Sequence, residues 1–482
     1  MISSKLYNKP ILLYLLLLSI LVVLTAFCSR LIVSQKHTLL IALPLLIIYF
    51  KLPFRLKIAL LLLACLYPLS FGNVGPVPTF LWVEWMSPLV AGIMLYHIVS
   101  DRKHIFPEKC LPAISAIFVL IVWAAVNYMR HPVLAEKLMG ASESAGGLRS
   151  YYTIFIGVSV FFVCMWFARY EAETGPFWNR FLTFLMYFSL FLGITRIFSH
   201  FFSFDIPFVF GVFRYAPELS FKTYGGEAYR IGGLSTTAII GMAAFLALRI
   251  KASFSITDVI LLICFALFLF LSGGRTATLG VLAAFSFYCF IMDFKGFGWI
   301  SAGVLLFFLV VWLLISVDML TGQINRLFSL EGGFRVQDKY RFLTFHLMWE
   351  QFLDSPFWGK GIGYFGKGMT DTKAFAFGQL KTGGHGSYIS ILCIFGLGGA
   401  YFFGIMLLSI LANGVRLLKN KIVPIGFSAG QQMMTVFALF VIIVNSVGYI
   451  AGGNGYSDMT LYMLAGIMAG LYSKGRMEHE KM

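Results

Sequence analysis

Residues 318–385 read DMLTGQINRLFSLEGGFRVQDKYRFLTFHLMWEQFLDSPFWGKGIGYFGKGMTDTKAFAFGQLKTGGH, a polar stretch between long apolar runs. It is by far the longest run without a membrane-spanning pattern, and long ordered loops of this kind are usually functional. Within Val336–Leu353, Phe342, Phe345, Trp349 and Phe352 recur at three- and four-residue steps and form one apolar stripe. The spacing predicts an amphipathic helix. It would pack on a helical bundle, or lie in the membrane interface with its stripe in lipid and Arg341 aimed at a site. A glycine-dense turn follows, Gly359-Lys360-Gly361-Ile362-Gly363. It matches GxGxG loosely, but no strand precedes it, so it is a turn and not a nucleotide loop. The stretch closes on His385 at the mouth of the next apolar segment.

The sequence around this stretch sets the fold class. Apolar residues make up 59% of the chain and charged residues 12%, with a mean hydropathy of +0.85. Soluble chains are about half apolar and a quarter charged, so the chain is an all-α, polytopic membrane protein. A span needs about 20 apolar residues. Windows of that kind fall at 11–28, 33–50, 58–74, 80–99, 110–128, 151–167, 181–203, 231–249, 257–273, 276–294, 299–317, 385–411, 430–450 and 459–472. Gln35, Lys36 and His37 weaken the second and the last is short, which leaves about 12–14 spans. Lys5 and Lys9 precede the first window, but no small-residue cleavage site follows it, so a retained first helix is expected. No repeat, low-complexity linker or appended soluble domain is visible.

Orientation follows from charge. With a cytoplasmic N-terminus, alternation puts 51–57, 101–109, 249–251, 415–421 and the tail on the cytoplasmic side, all rich in Lys and Arg. The nearly uncharged 72–79 and 272–275 and the neutral 451–457 fall outside, as the positive-inside rule predicts. Both termini are then cytoplasmic, and the loop 318–384 lies outside with 129–150 and 204–230. The net charge of +16 is scattered between apolar runs and is accounted for by topology, so no nucleic-acid partner is expected. Cys28, Cys65, Cys110, Cys164, Cys264, Cys289 and Cys393 lie in or beside apolar segments with no CxxC spacing; they read as small buried hydrophobes. Neither a metal nor a cofactor is called for.

Four candidate functional residues fall at the outer face: Arg230, Arg275, Arg341 and His385. A lone boundary arginine usually snorkels, its stem in lipid and its head among headgroups. Several on the side where topology disfavours positive charge would suit a diphosphate, because guanidinium is a planar fork of donors with permanent charge. A histidine at a helix mouth is more often structural, yet its pKa suits a general base. Glu84 and Arg196 are intramembrane charges, candidates for supporting roles or for pairing with each other or with polar neighbours.

These residues resemble motifs of the O-antigen ligase and O-antigen polymerase superfamily of bacterial membrane glycosyltransferases. Ser272-Gly273-Gly274-Arg275 through Leu279 is similar to its Arg-x-x-x-Leu turn. Arg341, then Pro356, Gly359 and Gly361, is similar to its arginine, amphipathic helix and Pro-x-x-Gly-x-Gly pattern. His385 with Gly396 and Gly399 is similar to its outer histidine motif, but Gly386 stands where ligases have an Asn-type residue. The likeness covers about 225–411, between N-terminal spans (1–224) and C-terminal spans with a tail (412–482). It implies a bacterial inner-membrane enzyme that uses no metal. A glycan would pass from undecaprenyl pyrophosphate to an acceptor hydroxyl, on a growing glycan or lipid A core, at the periplasmic face. Arg275 and Arg341, assisted by Arg230, would hold the pyrophosphate, and His385 would be the base. Membrane lipids and a chain-length regulator are the further partners implied. Within the family a polymerase is expected, with a ligase as the close alternative and a protein O-oligosaccharyltransferase as a third. A lipid-linked glycan transporter is the rival from another class; it would hold its polar groups near the bilayer midplane.

Overall fold

The computed structural model describes residues 49, 51–67, 82–100, 111–130, 148–171, 174–202, 231, 233–250, 255–272, 275–291, 345–361, 387–419, 428–451 and 458–480. All regular structure among them is helical: α1 (Phe54–Leu66), α2 (Trp82–Ser100), α3 (Leu111–Arg130), α4 (Leu148–Tyr170), α5 (Thr174–Phe202), α6 (Leu234–Leu248), α7 (Ile256–Leu271), α8 (Arg275–Ile291), α9 (345–354), α10 (Ser387–Lys419), α11 (Ala429–Ala451) and α12 (Met459–Glu480). Helices α3, α4, α5, α10 and α11 each contain a stretch long and apolar enough to cross a membrane. The protein is an all-α, multi-pass membrane protein. The predicted spans at 11–28 and 299–317, and 33–50 apart from Tyr49, lie outside the described residues.

Several helices overrun the predicted spans. Helix α1 starts at Phe54, inside the basic stretch read as a loop, because Pro53 sits at its N-cap where a missing N–H costs nothing. Helix α10 runs to Lys419, with Arg416 and Lys419 in its last turn, where cations complement the helix dipole. Helix α12 continues to Glu480 through the predicted tail. Basic composition reports which side a segment lies on; it does not stop a helix, since Lys and Arg are good helix formers.

The weakest predicted span to be described, 459–472, is among the most buried. Tyr462, Leu464, Ile467, Met468 and Leu471 of α12 are fully buried. A Cβ on Gly466 or Gly470 would run into the carbonyl oxygen of Phe161 or Met165 on α4, so both glycines are needed for the backbones to approach. In return, Gly157 of α4 leaves room for the Tyr462 ring, which a Cβ would meet at 2.5 Å. Small residues four apart are how apolar helices gain contact when lipid offers no hydrophobic drive. A helix packed this way meets little lipid, so its short apolar run suffices.

Contacts sort the helix ends into two groups. At one end Arg55 and Glu171 approach to 3.7 Å, Arg169 Nη1 donates to Ser473 Oγ (2.5 Å), and Gln431 Nε2 donates to Thr174 Oγ1 (3.2 Å). At the other end Tyr152 Oη donates to Glu84 O (2.7 Å), Thr460 Oγ1 to Cys65 O (3.1 Å) and Tyr388 Oη to Ser446 O (3.0 Å). The ends of α1, α3, α5, α7 and α11 and the starts of α2, α4, α6, α8, α10 and α12 fall in this second group, as alternating spans require.

Candidate functional site

Helix α10 is two helical pieces joined at Gly396, whose φ of 57° and ψ of −141° form a backbone that only glycine adopts readily. Such a break strands carbonyls and N–H groups that a membrane cannot satisfy. Residues 355–361 satisfy them. Lys360 N–H donates to Cys393 O (2.8 Å), Gly361 N–H to Ile394 O (3.0 Å), and Leu397 N–H to Pro356 O (3.0 Å). The fit leaves no room for side chains. A Cβ on Gly396 would lie 2.6 Å from Phe357 O, and one on Gly359 (φ 74°) would lie 2.6 Å from Gly396 N. Two separate glycine motifs thus form one interlocked joint.

Helix α9 leads into the joint. Its Leu347 and Met348 are buried, and Gln351 Oε1 accepts from Cys393 Sγ of α10 at 3.4 Å. Trp349, a member of the predicted apolar stripe, is 46% exposed, while Phe345 and Phe352 are half-buried. Helix α9 therefore packs through the Met348–Gln351 side and keeps Trp349 and Leu353 outward. Of the predicted stripe, Trp349 faces away from the bundle, and Phe342 lies outside the described residues. The part of the predicted helix before 345 lies outside the described residues, as do Ile362 and Gly363.

Helix α3 packs on both parts of the joint. Trp123 Nε1 donates to Phe357 O (3.2 Å), and its ring lies 5.0 Å from that of Trp358. A Cβ on Gly398 would collide with the Trp123 indole, so that glycine lets the tryptophan reach α10. Arg130 Nη1 donates to Gly359 O at 3.2 Å, an oxygen that Ser355 Oγ also reaches at 3.0 Å. Asn127 lies between Trp123 and Arg130 on the same helical face, fully buried, with neither amide atom hydrogen-bonded among the described residues. The sequence reading passed over Trp123 and Arg130. Arg130 carried a usable signal, since the charge pattern assigns it to the expected outer face, where basic residues are disfavoured.

Of the predicted site residues, Arg230, Arg341 and His385 lie outside the described residues. Arg275 begins α8, and only its backbone is described. The neighbours of these positions are informative. Ile231, next after Arg230, donates its N–H to Leu271 O (3.2 Å), four residues before Arg275 at the start of α8. Gly280, on α8, packs against Val444 of α11, where a Cβ would lie 2.9 Å from the Val444 oxygen. Tyr388, three residues after His385, donates to the Ser446 carbonyl one short step further along α11. Tyr388 also meets the Tyr449 ring edge-on at 6.2 Å, and Tyr449 Oη donates to Asp458 Oδ2. The starts of α8 and α10 thus flank one stretch of α11.

Arg196 is buried in α5, where its Nη1 donates to Gly233 O and to Thr237 Oγ1 (2.8 Å), both at the start of α6. Gly233 has φ 73° and no space for a Cβ beside this guanidinium. Glu84 is buried in the first turn of α2. Cys65, Cys164 and Cys393 are buried thiols, Cys264 and Cys289 are half-buried, and all five are unbridged; Cys28 and Cys110 lie outside the described residues. Among the described residues no group of three or more His, Cys, Asp or Glu side chains is arranged to hold a metal ion.

Part of this region matches a known family. No curated protein matches the chain. Residues 260–404 match the family model described as O-antigen ligase. The matched segment contains Arg275, the 355–361 turn, His385 and the break at Gly396, and excludes α3. The likeness to the O-antigen ligase family lies in this domain, residues 260–404.

Proposed function

We propose that the chain transfers a glycan from undecaprenyl pyrophosphate to an acceptor hydroxyl at the periplasmic face of the inner membrane, and that it works as a polymerase of O-antigen or a related surface polysaccharide. The observation that carries this reading is the joint between the 355–361 turn and the broken α10. It ties together the segment that follows Arg341 and the helix that follows His385. The starts of α6 and α8, which follow Arg230 and open with Arg275, lie at the same end of the bundle.

In the reaction, His385 takes the proton of the acceptor hydroxyl while its oxygen bonds to the anomeric carbon of the donor glycan. The bond from that carbon to the pyrophosphate oxygen breaks, and the electron pair leaves with the lipid pyrophosphate. Arg275 and Arg341, assisted by Arg230, meet the charge that develops there; fixed cations in a site shielded from water are effective at this task. The proton then passes from His385 to solvent. Glu84 and Arg196 support the fold of this end from within the bundle.

A ligase that transfers to lipid A core is the second reading, favoured by the description of the matched family. Purified protein given a lipid-linked repeat unit, with and without lipid A core, separates the two. A ladder of products on a gel identifies a polymerase, a single shift of the core identifies a ligase, and no product with either acceptor overturns both.

A further inference from the structure

We infer that Trp123 and Arg130 of α3 are positioning residues for the transfer reaction, although α3 lies outside the matched domain. The inference rests on the reading of His385 and Arg341 as working groups. The turn 355–361 holds the α9 segment against α10 through three backbone hydrogen bonds. Those bonds form with α10 alone, and α3 adds further hydrogen bonds to the same turn. Trp123 and Arg130 supply them. Each donates a hydrogen bond to a carbonyl of the turn, Phe357 O and Gly359 O, from positions seven residues apart on one face of α3. Two helical turns separate the donors, so α3 spans the turn as a brace. The indole of Trp123 also lies against Trp358 and against the glycine surface of Gly398, which fixes the turn laterally. Neither residue needs to touch substrate to act. Each sets the relation between the segment after Arg341 and the helix after His385.

The test pairs hydrogen exchange with kinetics on the full-length protein in detergent. Trp123→Phe keeps an aromatic ring and removes the N–H; Arg130→Ala removes the donor, and Arg130→Lys keeps one. Trp123→Phe and Arg130→Ala should each speed exchange at the amides of Lys360, Gly361 and Leu397 by about tenfold, the effect of about one lost hydrogen bond, and leave α4 and α12 unchanged. Turnover should fall by about tenfold with the donor KM within about twofold, since the loss is of geometry and not of binding. Arg130→Lys should recover most of both. Unchanged exchange in the two loss-of-donor variants overturns the inference, as does faster exchange with full turnover. A rise in donor KM with exchange unchanged makes Arg130 a substrate-binding group and overturns it too. If the wild-type protein is inactive on every lipid-linked glycan, the reading of the reaction fails, and positioning for glycan transfer falls with it. Exchange then reports only whether α3 braces the turn.

Discussion

Gly396→Ala should separate the turn from α10 without unfolding the protein. The new Cβ would lie 2.6 Å from the carbonyl oxygen of Phe357 and closer still to that of Pro356, and both are backbone atoms that cannot swing aside. The φ of 57° adds strain of about 1–3 kcal/mol for any residue with a side chain. The three hydrogen bonds between turn and helix are each worth about 1 kcal/mol net. The span has an alternative, however. A straightened α10 re-pairs its own N–H and C=O groups, so the helix recovers what the turn loses. The docked arrangement should be disfavoured by about 3 kcal/mol, a shift of about a hundredfold toward the undocked turn. Exchange mass spectrometry reads this directly. Peptides covering 355–361 should lose protection by about that factor, while those covering α4 and α12 stay protected. Transfer activity should drop below about 1% of wild type in the same preparation. Gly404→Ala is the control, since a Cβ there meets nothing within 4 Å. Retained protection in 355–361 of Gly396→Ala would refute the account of why α10 breaks.

His385→Ala and Arg275→Ala should each abolish product while the protein inserts and accumulates normally; full activity in the His385 variant removes the assigned base. Asn127→Leu should stabilise the protein by about 1–2 kcal/mol, because it removes a buried amide that makes no hydrogen bond among the described residues. A lower thermal midpoint in that variant would mean that the amide is satisfied by a group outside the described residues. Gly470→Ala should destabilise by about 2 kcal/mol as α4 and α12 are forced apart, whereas Gly92→Ala, with open space around it, should not change the midpoint by steric pressure.

Hydropathy revealed most of the spans because the bilayer imposes one length and one solvent on every crossing helix. It undervalued 459–472 because that helix meets α4 more than lipid, and Gly466 and Gly470 contribute closeness rather than apolar area. The charge pattern marked the loops correctly as basic but placed helix ends too early, as at Lys419, because charge does not terminate a helix. In the loop, the glycines at 359 and 361 were recognisable as a turn. Their partner at Gly396 was not, since it lies beyond more than thirty further residues and inside a span that looks continuous. The break needs a three-dimensional partner to be stable, and no local pattern announces one. Trp123 escaped for the same reason: its function depends on Gly398 leaving space in a distant helix.

The burial of Arg196 against the start of α6 bears on how the protein reaches its membrane. A guanidinium in hydrocarbon is costly unless it is hydrogen-bonded, and two of its acceptors here, Gly233 O and Thr237 Oγ1, are synthesised some forty residues later. Until α6 arrives, α5 lacks those two acceptors. Nascent chains cut before Gly233 should therefore be integrated less stably than those cut after Thr237, an order of assembly written into a single buried cation.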